Sequence, residues 1–465
     1  MNSILPPLLA GLLLSLGQAF AKTDRPNIVL VMIDDLGAEG VQCYGGESYS
    51  TPHMDALSKA GMKFNHAYAS PACMVTRAML MSGRYGFRSG LPKNMDMVAR
   101  ENGGWGADEI TIANLLQEAG YTTAISGKWH LAQTDRFPNH LTDSGFEHQN
   151  AWAWITGDTR TRRYWEATSH RDGEEVMDPP GIYGPDEYCD YIIRFMESQK
   201  DSNKPFFAYY PMVLLHSPWP QTPDNIDDPQ AGWTPEDNLR IPETQKWSQQ
   251  NFNAMVEYAD KLIGRVAKSI EDLGLEKNTL LLVTSDNGTI SKVTSQYQGR
   301  SIQGGKMRAK EAGARVPFFA VWKGRIQPGS VNENLIDFTD ILPTLVEVGG
   351  AKLPKDRIID GTSFLDQMLG KSNPTRREWV FIGYGNFAIA RSHTHILNAQ
   401  GILSDISEDP YEPTPIEPAA YDDTDHRAFM NLNEAMNTLE HPYSGEGPRK
   451  RASKKGEGGR KNASR

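Results

Sequence analysis

The chain has 465 residues, 39% hydrophobic and 23% charged, which suits a large globular body and excludes a disordered, collagenous or coiled-coil protein. Its 42 glycines and 29 prolines are spread without period, as in a loop-rich α/β enzyme, and no internal repeat is visible. The formal charge is −10, yet residues 445–465 hold eight Lys or Arg against two Glu, so an acidic body carries a basic tail.

Residues 1–21 form a short apolar run ending in Ala19-Phe20-Ala21, a small-x-small cleavage pattern before the polar Lys22 to Arg25. This reads as a cleaved secretory signal and places the protein in the periplasm or outside the cell. The run is too short and interrupted for a membrane span, and no other stretch is long enough, so no stable membrane insertion is expected. Cys43, Cys73 and Cys189 are too few to build a disulfide framework, so the core must hold the fold.

Apolar runs alternate with helical patterns along the chain, which predicts an α/β fold with a mostly parallel sheet covered on both faces. Asn27–Ile33 reads as a buried strand that delivers Asp34-Asp35-Leu36-Gly37. Between Tyr68 and Tyr85 the pattern is a loop, one or two helical turns and a stop at Gly83, with Cys73 at or near the helix N-terminus. Asp108 to Ala119 reads as an amphipathic helix with Asp108 near its N-cap and Gly120 at C′. Strands over 121–126, 204–215 and 278–284 deliver Gly127-Lys128-Trp129-His130, His216-Ser217-Pro218 and Ser285-Asp286-Asn287-Gly288. Ligands of open α/β sheets sit outside the carboxyl ends of the strands, so these polar clusters are expected to converge.

Asp34, Asp35, Asp286 and Asn287 offer three carboxylates and an amide oxygen. An all-oxygen set suits Ca²⁺ or Mg²⁺ and not zinc or copper. Each motif alone also reads as an ordinary strand-terminating turn. Lys128, His130, His216, Arg77 and Lys306 would make a multi-donor anion pocket if they met beside that metal, whereas singly each is an ordinary loop residue. At a helix N-terminus Cys73 faces free amides that favour an anion or a developing oxyanion. A buried structural cysteine, a thiolate nucleophile and a converted cysteine all stay open on the residues alone.

The strand with Asp34-Asp35, Cys73-x-x-x-Arg77 continuing to Leu80-x-Ser82-Gly83-Arg84, Gly127-Lys128-Trp129-His130, Leu215-His216-Ser217-Pro218, Asp286-Asn287-Gly288, and Gly305-Lys306 followed by Arg315-Val316-Pro317 occur in one order over roughly residues 25–370. This ordered set resembles the formylglycine-dependent sulfatases, arylsulfatase-like members of the alkaline phosphatase superfamily. The resemblance implies a large mixed, mostly parallel sheet flanked by helices, with a smaller C-terminal antiparallel subdomain. It implies that a formylglycine-generating or equivalent maturation enzyme oxidises Cys73 to an aldehyde, whose hydrate supplies the nucleophile on sulfur and whose collapse expels the sulfate. It further implies one divalent cation, Ca²⁺ rather than Mg²⁺, held by Asp34, Asp35, residue 73, Asp286 and Asn287. Arg77, Lys128 and Lys306 would screen the sulfate, His216 with Lys306 would protonate the leaving alkoxide, and His130 would deprotonate the second hydroxyl. Two departures stand out: Val75-Thr76, where the family usually has Pro or Ala and then Ser, and Ala312, where Gly is common.

The domains read as a signal over 1–21, a catalytic domain over 22–370, a C-terminal subdomain over 371–444 and a basic disordered tail over 445–465. Short strands are expected over 379–384, 387–391, 395–398 and 401–405. The tail is either a solvated end or an electrostatic dock for a polyanionic glycan. Between Ala151 and Glu175, Trp152, Trp154, Arg160, Arg162, Arg163, Tyr164 and Trp165 suit stacking on sugars and pairing with extra sulfates; plain loop packing is the alternative. The expected substrate is a sulfated small molecule or glycan, without a nucleic-acid partner. Two other functions are weighed: a phosphomonoester or phosphonate hydrolase, and a catalytically silent polyanion-binding protein.

Overall fold

A computed structural model describes residues 25–95, 104–106, 108–157, 159–226 and 248–443. The expected signal over 1–21 and the basic tail over 445–465 lie outside the described residues.

The centre is a ten-stranded mixed sheet in the order Ser330–Asp337, Met62–Tyr68, Phe318–Val321, Thr279–Ser285, Asn27–Ile33, Phe206–Pro211, Thr122–Gly127, His148–Trp152, Thr168–Arg171, Glu174–Met177. The five strands from Thr279–Ser285 to His148–Trp152 run parallel. Asn27–Ile33 is buried at every residue, as are Phe206–Pro211 and Thr279–Ser285. Continuous Val, Leu and Ile runs fit such strands because both faces are covered. Helices Pro52–Ala60, Gly184–Gln199 and Gln249–Asp272 pack on one another, and Cys73–Ser82, Ile112–Glu118 and Ile341–Gly349 form a second group. Gln249–Asp272 begins at Ser248, whose hydroxyl accepts from the Asn251 amide, and it buries Phe252, Met255, Val256, Ala259, Leu262, Ile263, Val266 and Ile270 at helical spacing.

Three expected elements shift. The helix foreseen from Asp108 starts at Ile112, because Thr111 and Asn114 form a reciprocal capping box and Glu109 is drawn into an ion pair with Arg84 at 2.6 Å. The turns at Cys73 extend to ten residues, Cys73–Ser82, before Gly83 closes the helix at φ 67°. The strand foreseen over 204–215 is only Phe206–Pro211. Beyond it, the Asp34 amide donates to the Leu214 carbonyl (2.8 Å) and the Leu215 amide to the Asp34 carbonyl (2.7 Å), which seats the His216 loop beside the Asp34 turn.

The C-terminal part forms a separate five-stranded antiparallel sheet, Val380–Tyr384, Phe387–Arg391, His395–Asn398, Leu403–Asp405 and Thr414–Pro415, joined by helix Asp423–Thr438. Val380, Ile382, Ile389, Ile396 and Ile406 share a buried cluster with Tyr68, Ala314 and Leu335, so an apolar interface binds this sheet to the larger body. The three cysteines are all free.

Candidate active site

Strand register assembles the first half of the site. Ile33 pairs with Ser285, so Asp34-Asp35 and Asp286-Asn287 leave adjacent strands at one level. The Asp286 amide donates to the Ile33 carbonyl at 3.0 Å, and the Asp35 amide to Asp286 Oδ1 at 3.2 Å. Asp35 sits at φ 70°, a left-handed conformation uncommon outside glycine and typical of functional sites. One strand beyond Phe206–Pro211, Gly127 stands at φ 120°, and a Cβ there would lie 2.0 Å from the Pro211 carbonyl oxygen. Only glycine lets these backbones approach so closely, and the Lys128 amide then donates to that oxygen at 2.6 Å.

Cys73 is the first residue of its helix, and Arg77 follows one turn later on the same face. Arg77 is buried: Nε and Nη2 donate to Asp286 Oδ2 at 3.1 and 2.7 Å, and Nη1 donates to the Lys128 carbonyl at 2.6 Å. Lys128 Nζ donates to Asp34 Oδ2, and Lys306 Nζ to Asp35 Oδ1. Asn287 Nδ2 donates to the same Asp35 oxygen at 2.8 Å. Cys73 Sγ lies 3.5 Å from His130 Nδ1, and Cys73, Lys128, His130 and His216 line one pocket. The structure thus brings together all ten residues singled out in the sequence.

The electrostatics follow from three buried carboxylates facing three buried cations. Burial alone would raise Asp34, but Lys128, Lys306 and Arg77 outweigh it and hold the carboxyl below its usual range. Burial lifts Asp35 despite Lys306. Burial and the neighbouring Asp34 charge push Asp286 up to about 7. Burial lowers His130 and His216 well below the ordinary histidine value, helped by Lys128 and Arg77 in the first case and by Lys306, Lys128 and Arg163 in the second.

The residues fit a hard divalent cation. Asp34 Oδ1, Asp35 Oδ2 and Asn287 Oδ1 are buried and accept no hydrogen bond, a costly condition unless a ligand satisfies them. Asp34, Cys73 and Asp286 present ligand atoms all within 4.8 Å of one another. Free carboxylate and amide oxygens are the donors that Ca²⁺ and Mg²⁺ take.

The model of the sulfatase family matches residues 26–351. The chain belongs to the sulfatases. Sulfatases are sulfuric ester hydrolases, and the chain is an enzyme of that class. It is 28% identical over 397 residues to arylsulfatase G of Rattus norvegicus, covering 77% of this chain and 71% of that one. Among solved structures, Ps i-CgsB in complex with k-i-k-neocarrahexaose superposes with a TM-score of 0.74 at 22% identity, covering 91% of this chain and 95% of the other. BT4656 in complex with its substrate D-glucosamine-2-N,6-O-disulfate gives a TM-score of 0.69 at 22% identity, over 89% and 98%. At such identities these two structures share the fold.

Both departures from the sulfatase pattern are buried side chains in the fold. Val75 is 1% exposed and faces Gly86, away from the pocket. Ala312 is buried against Tyr297 and Ile302. The Ala151–Glu175 segment divides: Trp152, Trp154, Arg160 and Arg163 line the pocket, while the others turn elsewhere. Arg162 pairs with Glu166, the Tyr164 hydroxyl donates to the Val213 carbonyl (3.1 Å) and the His216 carbonyl, and Trp165 Nε1 donates to the Gln221 carbonyl at 2.9 Å. Asn94, whose Nδ2 donates to Cys73 Sγ at 3.8 Å, was not foreseen, because an isolated loop asparagine carries no spacing signal.

Proposed function

We propose that the protein is an exported sulfatase of sulfate monoesters on carbohydrate, with a formylglycine made from Cys73 and one Ca²⁺. The convergence of Cys73, at a helix N-terminus, with the orphaned oxygens of Asp34, Asp35 and Asn287 carries this reading. Export is supported by the signal pattern of residues 1–21. Carbohydrate is supported by the sulfated glucosamine bound by one structural neighbour and the neocarrahexaose bound by another.

Asp34, Asp35, Asp286 and Asn287 would hold the cation, which when bound supplies Lewis-acid activation of the nucleophile and the sulfate. Ca²⁺ is preferred because protein oxygens dominate the set, whereas Mg²⁺ usually keeps several waters. Converted to formylglycine, residue 73 would supply the hydroxyl nucleophile and, as an aldehyde hydrate, a route for sulfate release. The segment Cys73–Ser82 is buried throughout, so the maturation enzyme has to read Cys73-x-x-x-Arg77 before the chain folds.

The remaining residues have separable tasks. His130, beside residue 73 and kept neutral by burial and two cations, is the base that removes a hydroxyl proton. Lys128 and Lys306 offer positive charge to the sulfate oxygens. Arg77 takes a positioning task beside the expected screening of sulfate. Its Nε, Nη1 and Nη2 donate to Asp286 or the Lys128 carbonyl, so it fixes Asp286 and the Lys128 loop, while the second N–H on Nη1 and on Nη2 stays available to a sulfate oxygen. His216 Nδ1 faces the Ser217 carbonyl at 2.8 Å. Nδ1–H therefore donates there, and Nε2 must be protonated for His216 to act as acid. Burial and the surrounding cations oppose that proton, and the negative charge of a bound sulfate ester favours it.

Aryl esters test the reaction class. The purified protein with Ca²⁺ is expected to turn over 4-nitrophenyl sulfate with a kcat/KM at least about a hundredfold above that for 4-nitrophenyl phosphate. A preference for phosphate would move the assignment to the phosphomonoester reading.

A further inference from the structure

One wall of the pocket has no task in the chemistry above. It is built by Trp152 at the end of its strand, by Trp154, by Arg160 in the hairpin of Ile155–Thr156 with Thr159–Arg160, and by Arg163 just after it. Arg163 is 6% exposed. Its guanidinium carbon lies 4.2 Å from the centroid of the Trp152 ring, a cation–π stack that fixes the plane of the guanidinium.

Among the described residues no hydrogen bond or ion pair reaches that guanidinium, and Nη1 is buried without an acceptor. The other two buried arginines differ: Arg77 is paired with Asp286 and Arg391 with Glu311. A guanidinium stays charged even when burial disfavours it, and an unpaired buried charge is expensive. A fixed, charged guanidinium that no described residue pairs, facing a pocket, is therefore a site for a planar or tetrahedral anion.

The reacting sulfate is already faced by Lys128, Lys306, His130 and His216, and Arg160 adds a second, exposed guanidinium to Arg163. Two further cations exceed what one sulfate monoester needs. Resting on the sulfatase reading above, we propose that Arg163, with Arg160, binds a second anionic group of the substrate, a sulfate or carboxylate near the scissile ester. The two arginines thus make the enzyme selective for polyanionic carbohydrate. Trp152 and Trp154 offer the apolar faces against which a sugar ring lies.

Calorimetric binding to the full chain tests this without requiring turnover. One probe pair is D-glucosamine 6-O-sulfate and D-glucosamine-2-N,6-O-disulfate. A second is a monosulfated uronate-containing disaccharide and its carboxyl-reduced form. In at least one pair the wild type is expected to bind the two-anion member at least about tenfold tighter, and the responding pair tells whether sulfate or carboxylate is recognised. Arg163→Met should shrink that ratio at least about fivefold. Arg160→Met should shrink it too, and as an exposed substitution it keeps the test valid if Arg163→Met fails to fold. A wild-type ratio near one in both pairs would overturn the proposal. So would a ratio kept by both variants, or an equal loss of one-anion and two-anion binding in Arg163→Met, which would assign Arg163 to the reacting sulfate. Anion selectivity without hydrolysis of any sulfate ester would instead sink the catalytic reading and leave this one standing.

Discussion

Cys73→Ala is expected to abolish sulfate-ester turnover, a loss of about 10⁴-fold or more, while the protein stays folded. Residue 73 opens a helix, lies 3.5 Å from His130 and shares a ligand cluster with Asp34 and Asp286. Lys128, Lys306 and His216 could still bind sulfate in the variant, but no other side chain occupies the nucleophile's place. The lost packing is small: one buried sulfur, touched by His130 and Asn94, is removed, costing about 1–2 kcal/mol of stability. Turnover of 4-nitrophenyl sulfate and the thermal midpoint, measured side by side, check both halves. Retained turnover would move the nucleophile elsewhere, and a collapsed midpoint would make Cys73 a core residue.

Arg77→Met is expected to damage stability and turnover together, for a reason that a second substitution exposes. Arg77 and Asp286 are 1% and 0% exposed and lie 2.7 Å apart. Removing one partner strands the other charge and costs about 3–5 kcal/mol. Burial and the adjacent Asp34 charge push the Asp286 carboxyl up, and the Arg77 guanidinium works against that rise. Without Arg77 its pKa rises further, so it takes up a proton and weakens as a metal ligand. Turnover should fall about 10³-fold or more. Arg77→Met combined with Asp286→Asn removes both charges, and most of the lost thermal midpoint should return while turnover stays absent. A double variant as unstable as the sum of the singles would show that the pair is not coupled.

The site was legible in the sequence because each half obeys a simple rule. Apolar runs such as Asn27–Ile33 and Thr279–Ser285 fit buried parallel strands, and a buried strand releases its polar residues at its end. Order and spacing of the motifs then named the family, and parallel register did the rest. What stayed illegible depends on contacts between distant segments. The cap of Ile112–Glu118 passed from Asp108 to Thr111 because Asn114 could answer it and Glu109 was needed by Arg84. Arg162 and Trp165 looked as suited to a sugar as Arg163 and Trp152, yet Glu166 and the Gln221 carbonyl hold the first pair away from the pocket. Arg77 reads as a sulfate donor by its charge, and only the three hydrogen bonds to Asp286 and the Lys128 carbonyl reveal that it also positions them, with two of its five N–H groups left over. Composition places such residues in a segment; side-chain direction is set by partners far along the chain.

The central claim is that residue 73 is a converted nucleophile, and it is tested most directly by mass spectrometry. The peptide carrying Cys73-Met74-Val75-Thr76-Arg77 would be isolated from protein produced in its own host. A substantial fraction is expected to show the mass loss of thiol-to-aldehyde conversion, sensitive to carbonyl-trapping reagents and absent from Cys73→Ala. An unmodified thiol throughout, in protein that still hydrolyses sulfate esters, would contradict it.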